Sequence, residues 1–108
     1  MVINHMSYRN LLEKLIEKVN EPSVRVDLFA TFGLIVEAYR KGKISEDKMR
    51  GYIHELVMDA LTIQYPDLDI DELRKKALEW VEKFISVLKV ERMKYELMAI
   101  HRGEGGRM

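Results

Sequence analysis

A stretch of thirty residues without glycine or proline, from Asp71 to Ile100, constrains the fold of this 108-residue chain more than any other feature. As one α-helix it would be about 45 Å long. Apolar residues in its first half recur at helical spacing and share one face, namely Leu73, Ala77, Trp80, Val81, Phe84 and Leu88. Charged residues and a serine occupy the opposite face. The pattern predicts a long helix that packs one side against a core.

The second half of this stretch carries a different apolar row, which we call the C-terminal row: Val90, Met93, Leu97 and Ile100. At about 100° per residue, the C-terminal row lies on the side that is charged in the first half. A helix that only completes its own bundle needs no apolar residues there. We therefore predict that the row is an interface, most simply with a second copy of the chain. Two alternatives remain: the row packs against helix 1, or the helix kinks between residues 89 and 92 and its last turns fold back.

Turn and capping residues divide the rest of the chain into three more helices. Helix 1 is expected from Ser7 to Asn20. Helix 2 is expected from Pro22 to Lys41, with Gly42 as its C-cap, and helix 3 from Ser45 to Tyr65-Pro66. Asp69, with Glu72 three residues later, is typical of the start of helix 4. No segment alternates with period two. We predict an all-α, four-helix up-down bundle that dimerises, with a single helical domain over residues 1–102 and a flexible Gly-rich tail over 103–108.

The expected core is a cluster from three helices: Phe32, Ile35, Leu56, Ala60, Trp80 and Phe84. Helix 2 also has a second apolar side of smaller residues, Ala30, Gly33, Leu34 and Ala38. Glycine within a helix costs roughly 1 kcal/mol relative to alanine, so Gly33 suggests a close helix crossing. Helix 2 is then either central in its own bundle or part of a dimer seam.

Composition limits the classes of function. The chain has no cysteine, which excludes disulfides and thiolate metal sites, and it has one Gln and three Asn, a thermophile-like usage. Its longest apolar run is nine residues, and the N-terminus lacks a signal-peptide pattern, so a cytoplasmic location is expected. The formal net charge is zero, but residues 1–73 carry −4 and residues 74–108 carry +4. This asymmetry can steer association, or it can place helix 4 beside acidic helix 3.

Motifs that would carry chemistry are incomplete. His54-Glu55 begins like a helical zinc-protease motif, but Met58 stands where the second histidine is required. Asp67, Asp69 and Asp71 alternate as in a calcium loop that lacks its essential Gly and Glu. We expect no catalytic residues, no metal site and no cofactor. A rival interpretation is an enzyme whose site is assembled from Glu37, His54 and tyrosines. For Glu37, a paired structural carboxylate is the favoured interpretation.

The sequence therefore favours a small helical interaction and oligomerisation module with the C-terminal row as its interface. Its partner would be another copy of the chain or a heterologous protein, with no membrane partner. The alternative is a dimeric nucleic-acid-associated regulator that uses its basic C-terminal third, with contacts from Arg74, Lys75, Lys76, Lys89, Arg92, Lys94 and Arg102. Glutamates interleave with these cations, which is more typical of a solvated helix with i,i+4 pairs.

Overall fold

Four α-helices make up the fold in a computed structural model that describes residues 7–101. They are α1 (Tyr8–Leu15), α2 (Pro22–Arg40), α3 (Glu46–Gln64) and α4 (Ile70–His101). No strand occurs among these residues. The prediction of an all-α fold with α4 as its longest helix is confirmed. The predicted Gly-rich tail over 103–108 lies outside the described residues.

The helix ends follow the predicted capping chemistry. The hydroxyl oxygens of Ser7 and Ser45 accept hydrogen bonds from the backbone N–H groups of Asn10 and Lys48, at 3.3 and 3.2 Å. At the end of α2, Gly42 has φ +76°, and the N–H groups of Gly42 and Lys43 donate to the carbonyls of Tyr39 and Ala38. This is a Schellman motif, which needs a left-handed residue and so favours glycine. It turns the chain directly from α2 toward α3.

α1 is shorter than predicted, because side chains from elsewhere satisfy the backbone groups where it ends. The guanidinium of Arg25 donates to the carbonyls of Ile16 and Val19, at 3.0 and 3.2 Å. The amide of Gln64, the only glutamine in the chain, donates to the Leu15 carbonyl at 2.7 Å and accepts from the Lys18 N–H at 2.9 Å. These bonds replace the last helical turn that apolar periodicity alone predicts through Asn20.

All four helices contribute apolar residues to the core. Among residues 7–101, no polar or charged residue is buried. Phe32 and Phe84 are fully buried, and their ring centroids are 5.0 Å apart. Ala60 is also fully buried and belongs to the same hydrophobic cluster. The prediction that Ile35, Leu56 and Trp80 are equally solvent-free is wrong, because they lie at the margins of the buried helix faces and are only partly covered. The apolar faces of helices 1 and 3, which the sequence pattern also predicts, complete the core and include Leu12, Ile16, Met49 and Ile53.

The second apolar side of α2 faces outward. Val26, Ala30 and Leu34 are exposed, so the prediction of a central helix enclosed by its own bundle is wrong. A Cβ atom at Gly33 would lie 3.7 Å from the Tyr8 hydroxyl, which is an ordinary contact. Gly33 therefore does not mark a close helix crossing within this chain.

α4 runs without interruption through residues 89–92, so the predicted alternative of a kink with a folded-back end is wrong. It packs most extensively against α3 and also contacts α1 and α2. Its 32 residues correspond to about 48 Å, against about 28 Å for the 19 residues each of α2 and α3. The long dimension of the molecule is 53 Å, and the other two are 29 and 27 Å. The length difference leaves the C-terminal end of α4 beyond the other helices. None of the helices within residues 7–101 combines the length and apolar character that a membrane span requires.

Candidate functional site: the C-terminal segment of α4

The C-terminal row lies on the surface of the molecule. Val90, Met93, Leu97 and Ile100 are 48%, 61%, 63% and 61% exposed. The alternative that the row packs against helix 1 of the same chain is therefore wrong. Along about 15 Å of helix, four large apolar side chains face solvent, and soluble proteins usually cover such a contiguous patch.

The opposite side of the same segment is also apolar. Tyr95 and Met98 continue the inner face of α4 beyond the end of the core, and both are exposed. Lys94 and Glu96 lie at the two borders between these apolar sides, about 160° apart around the helix. Exposed apolar side chains therefore lie on both sides of the segment, interspersed with charged residues. Sequence analysis missed this second side because only the C-terminal row breaks the pattern of the first half, whereas Tyr95 and Met98 simply prolong it.

A cluster of polar contacts fixes the base of this segment to the bundle. The Glu91 carboxylate accepts a hydrogen bond from the Tyr8 backbone N–H at 3.3 Å, which satisfies a free donor at the start of α1. Its other oxygen, Oε1, is buried without a hydrogen bond and lies 3.8 Å from the Arg40 guanidinium. Arg92 stacks over the Tyr39 ring at 4.8 Å, and Arg40 lies 6.0 Å from the Tyr95 ring centre. These contacts hold the base of the segment against α1 and α2, and the helix continues without interruption beyond them.

Ion pairs draw several charges of α4 toward its own bundle. Arg50 on α3 bonds Glu82, and Lys89 lies 3.7 Å from Glu46. The Lys89–Glu46 pair matches the interpretation of the charge asymmetry in which basic residues of α4 lie beside acidic α3, whereas the Arg50–Glu82 pair has the opposite polarity. Within α4, Arg92 donates to Glu96 at 3.2 Å. The hydrogen bonds that Arg50 and Arg92 donate to Glu82 and Glu96 raise the pKa values of the two guanidinium groups. Because arginine is protonated far above neutral pH in any case, these pairs do not make folding stability depend on the arginines near neutral pH.

The predicted nucleic-acid residues do not form one patch. Arg74, Lys75 and Lys76 are exposed near the start of α4. Lys89, Arg92 and Lys94 follow about 20–30 Å further along the helix, and two of these three are paired with carboxylates. Arg102 lies outside the described residues. Direct contact with nucleic acid stays a prediction.

Among the described residues, those proposed for an enzymatic site are not part of a recognisable catalytic or metal-binding cluster. Glu37 is paired, as predicted, with Arg40 at 3.4 Å and Lys41 at 3.2 Å, but its side chain is half exposed. Among the described residues, no three histidine, aspartate or glutamate side chains come together as metal ligands. His5 lies outside the described residues.

Comparison of the chain with protein-family models, curated proteins and solved structures gives no match. Any functional conclusion therefore rests on the chain's own residues, among which the C-terminal segment of α4 is the largest feature that the fold does not account for.

Proposed function

We propose that this protein is a non-catalytic, cytoplasmic self-association module that dimerises through the C-terminal row of α4. The observation that supports the proposal most directly is the exposure of four apolar side chains on a helix that extends beyond the rest of the bundle. They are Val90, Met93, Leu97 and Ile100. Their spacing of 3, 4 and 3 residues is that of the seam between two paired helices. A heterologous helix of similar pattern could occupy the same row, and it would then be a competitor of the second copy.

The energy available from the row is of the right order for reversible association. Burial of one large apolar side chain contributes roughly 1.5–3 kcal/mol. Four such side chains on each copy are partly exposed in the monomer, so only part of this value is gained. Association costs an estimated 4–15 kcal/mol in lost translational and rotational freedom. The balance supports a dimer of moderate affinity that gains from any further contact along α4.

The proposal includes the predicted up-down arrangement of the four helices. Two contacts support it. The start of α1 meets Glu91 near the C-terminal end of α4, while the end of α1 meets Gln64 at the end of α3. With the direct α2–α3 turn at Gly42, this order brings successive helices into antiparallel orientation and leaves the C-terminal segment of α4 at one end.

The test is the double substitution Met93→Glu/Leu97→Glu, measured by sedimentation and circular dichroism. We expect wild-type dimers at micromolar concentration and folded monomers for the variant. The matched control is Ile70→Glu/Leu78→Glu, which charges two similarly exposed positions on the same helix, at 50% and 57% exposure, and should leave the dimer intact. A wild-type chain that stays monomeric at high micromolar concentration contradicts the proposal. So does a double variant that unfolds, since the row would then belong to the core.

The nucleic-acid alternative is separated from self-association by salt dependence. Phosphate contacts weaken steeply with salt, whereas an apolar seam does not. Retention of the protein on DNA or RNA that falls steeply as salt is raised would support the alternative, and no retention at low salt would exclude it.

A further inference from the structure

A groove between α1 and α4 contains no residue of the C-terminal row. Its volume is about 420 Å³, within the range of roughly 300–1,000 Å³ that is usual for small-molecule sites. Six residues line it, namely Leu11, Lys14, Trp80, Lys83, Ser86 and Val87. They come from two helices that are distant in sequence, so local periodicity does not bring them together. The groove is therefore a candidate ligand site that only the packing of α1 against α4 creates.

Part of the groove is apolar and accessible to solvent. Leu11 belongs to the core, whereas Trp80 and Val87 pack against the core and are only partly covered. The Trp80 ring lies beside Phe84, with ring centroids 6.3 Å apart. An indole ring carries a large apolar surface, and the part that the bundle leaves uncovered is available to a bound molecule. The core thus supports an aromatic surface inside the groove.

The charged residues of the groove are two exposed lysines, Lys14 and Lys83. Neither makes an ion pair with a residue in the range 7–101, and no carboxylate from that range lines the groove. The Lys83 ammonium lies over the Trp80 ring, 4.8 Å from its centre. Glu82, the carboxylate next to Lys83 in sequence, accepts from Arg50 on α3 instead. The groove therefore presents two positive charges beside an apolar surface.

We propose that this groove binds a small amphipathic organic anion, with its anionic group at Lys14 and Lys83 and its apolar part against the Trp80 indole. Charge complementarity selects this class, because a neutral molecule leaves both ammonium groups without a partner and a cation is repelled by them. The Ser86 hydroxyl adds a hydrogen-bond donor for the anionic group. Two lysines are fewer than the roughly four to eight basic residues of a typical lipid-binding cluster, so the ligand is a free molecule and not a membrane lipid.

The experiment uses the intrinsic fluorescence of Trp80, which is the only tryptophan in the chain. The full-length protein is titrated with octanoate, with acetate as a probe that carries only the charge and 1-octanol as one that carries only the apolar chain. We expect a saturable change in emission with octanoate and a much weaker change with the other two. Trp80 lies about 15 Å along the helix from Val90, so adsorption of octanoate to the C-terminal row does not mimic this signal. An emission that octanoate leaves unchanged would overturn the proposal.

Two variants test the role of the lysines. Lys14→Ala/Lys83→Ala should lower the affinity for octanoate roughly tenfold, because both charged donors are lost, and Lys14→Ala alone should lower it less while leaving the Lys83–Trp80 contact in place. The matched control Lys43→Ala/Lys48→Ala removes two exposed lysines outside the groove and should keep the wild-type affinity. Equal affinities of the two double variants would overturn the proposal, as would an emission change only with vesicles of anionic phospholipid. Monomers in sedimentation would contradict the proposed dimer and leave this site unaffected.

Discussion

The two halves of α4 each carry a row of apolar residues, but these rows lie in different environments. In the first half, Leu73, Ala77, Val81 and Phe84 are buried against three other helices, and the charged side faces solvent. In the second half, Val90, Met93 and Leu97 are exposed, and the bundle covers only the base of the segment. The first half accounts for the stability of the monomer. The second half makes few contacts within the chain, and its exposed apolar surface is the basis of the proposed self-association.

The largest expected effect tests the buried half. Phe84→Ala should lower the free energy of unfolding by roughly 3–5 kcal/mol, because it leaves a cavity beside Phe32 in a fully buried site. Chemical denaturation of the Met93→Glu/Leu97→Glu background isolates the monomer and measures this loss. Ile100→Ala in the same background is the matched control, since Ile100 is exposed, and should change stability by less than about 0.5 kcal/mol. Equal losses at both positions would remove the distinction between the halves.

The next effect concerns the exposed half. Only folded chains can form the proposed dimer, so association stabilises the folded state. The denaturation midpoint of the wild-type protein should therefore rise with protein concentration. The expected gain is at most about 1.4 kcal/mol of apparent stability for each tenfold increase. Met93→Glu/Leu97→Glu should remove the dependence, whereas Ile70→Glu/Leu78→Glu should keep it. A wild-type midpoint that is unchanged over a hundredfold range would indicate that the exposed half does not self-associate.

A smaller effect is expected at the boundary between the halves. Glu91→Ala leaves the Tyr8 N–H without its acceptor and Arg40 without its closest interhelical carboxylate. Loss of a hydrogen bond of this kind costs roughly 1 kcal/mol. Hydrogen exchange should accelerate at the start of α1 and near Tyr95, with residues 73–88 unchanged. Faster exchange throughout α4 would mean that its halves do not behave independently.

The sequence predicts the helices better than it predicts which of their sides are covered. Ser7, Gly42 and Ser45 act as caps because capping depends on neighbours within a few residues, and α4 forms because thirty residues contain no breaker. α1 ends early because Gln64, which is distant in sequence, and Arg25 of the next helix donate to the carbonyls of Leu15 and Ile16. The outward position of Leu34 likewise depends on where α1 and α3 lie. Local periodicity identifies an apolar side but does not specify its neighbour.

The candidate site shows the same limit. The C-terminal row was recognisable from sequence because it changes side relative to the first half of α4. The polar cluster around Glu91 was not, since it joins Tyr8, Arg40 and Tyr95 from three helices. Only the packing of α1 and α2 against α4 brings these residues together.

The smallest expected effect concerns the charges beside the C-terminal row. Lys94 is exposed and makes no ion pair among the described residues. An exposed ion pair contributes about 0.2–1 kcal/mol, so Lys94→Ala should change the affinity of the proposed dimer by no more than a few-fold in sedimentation at low salt. Met93→Glu/Leu97→Glu should abolish association at any salt concentration. If Lys94→Ala weakened the dimer as much as the double variant, and added salt weakened the wild-type dimer equally, charges and not the apolar row would hold the two copies together.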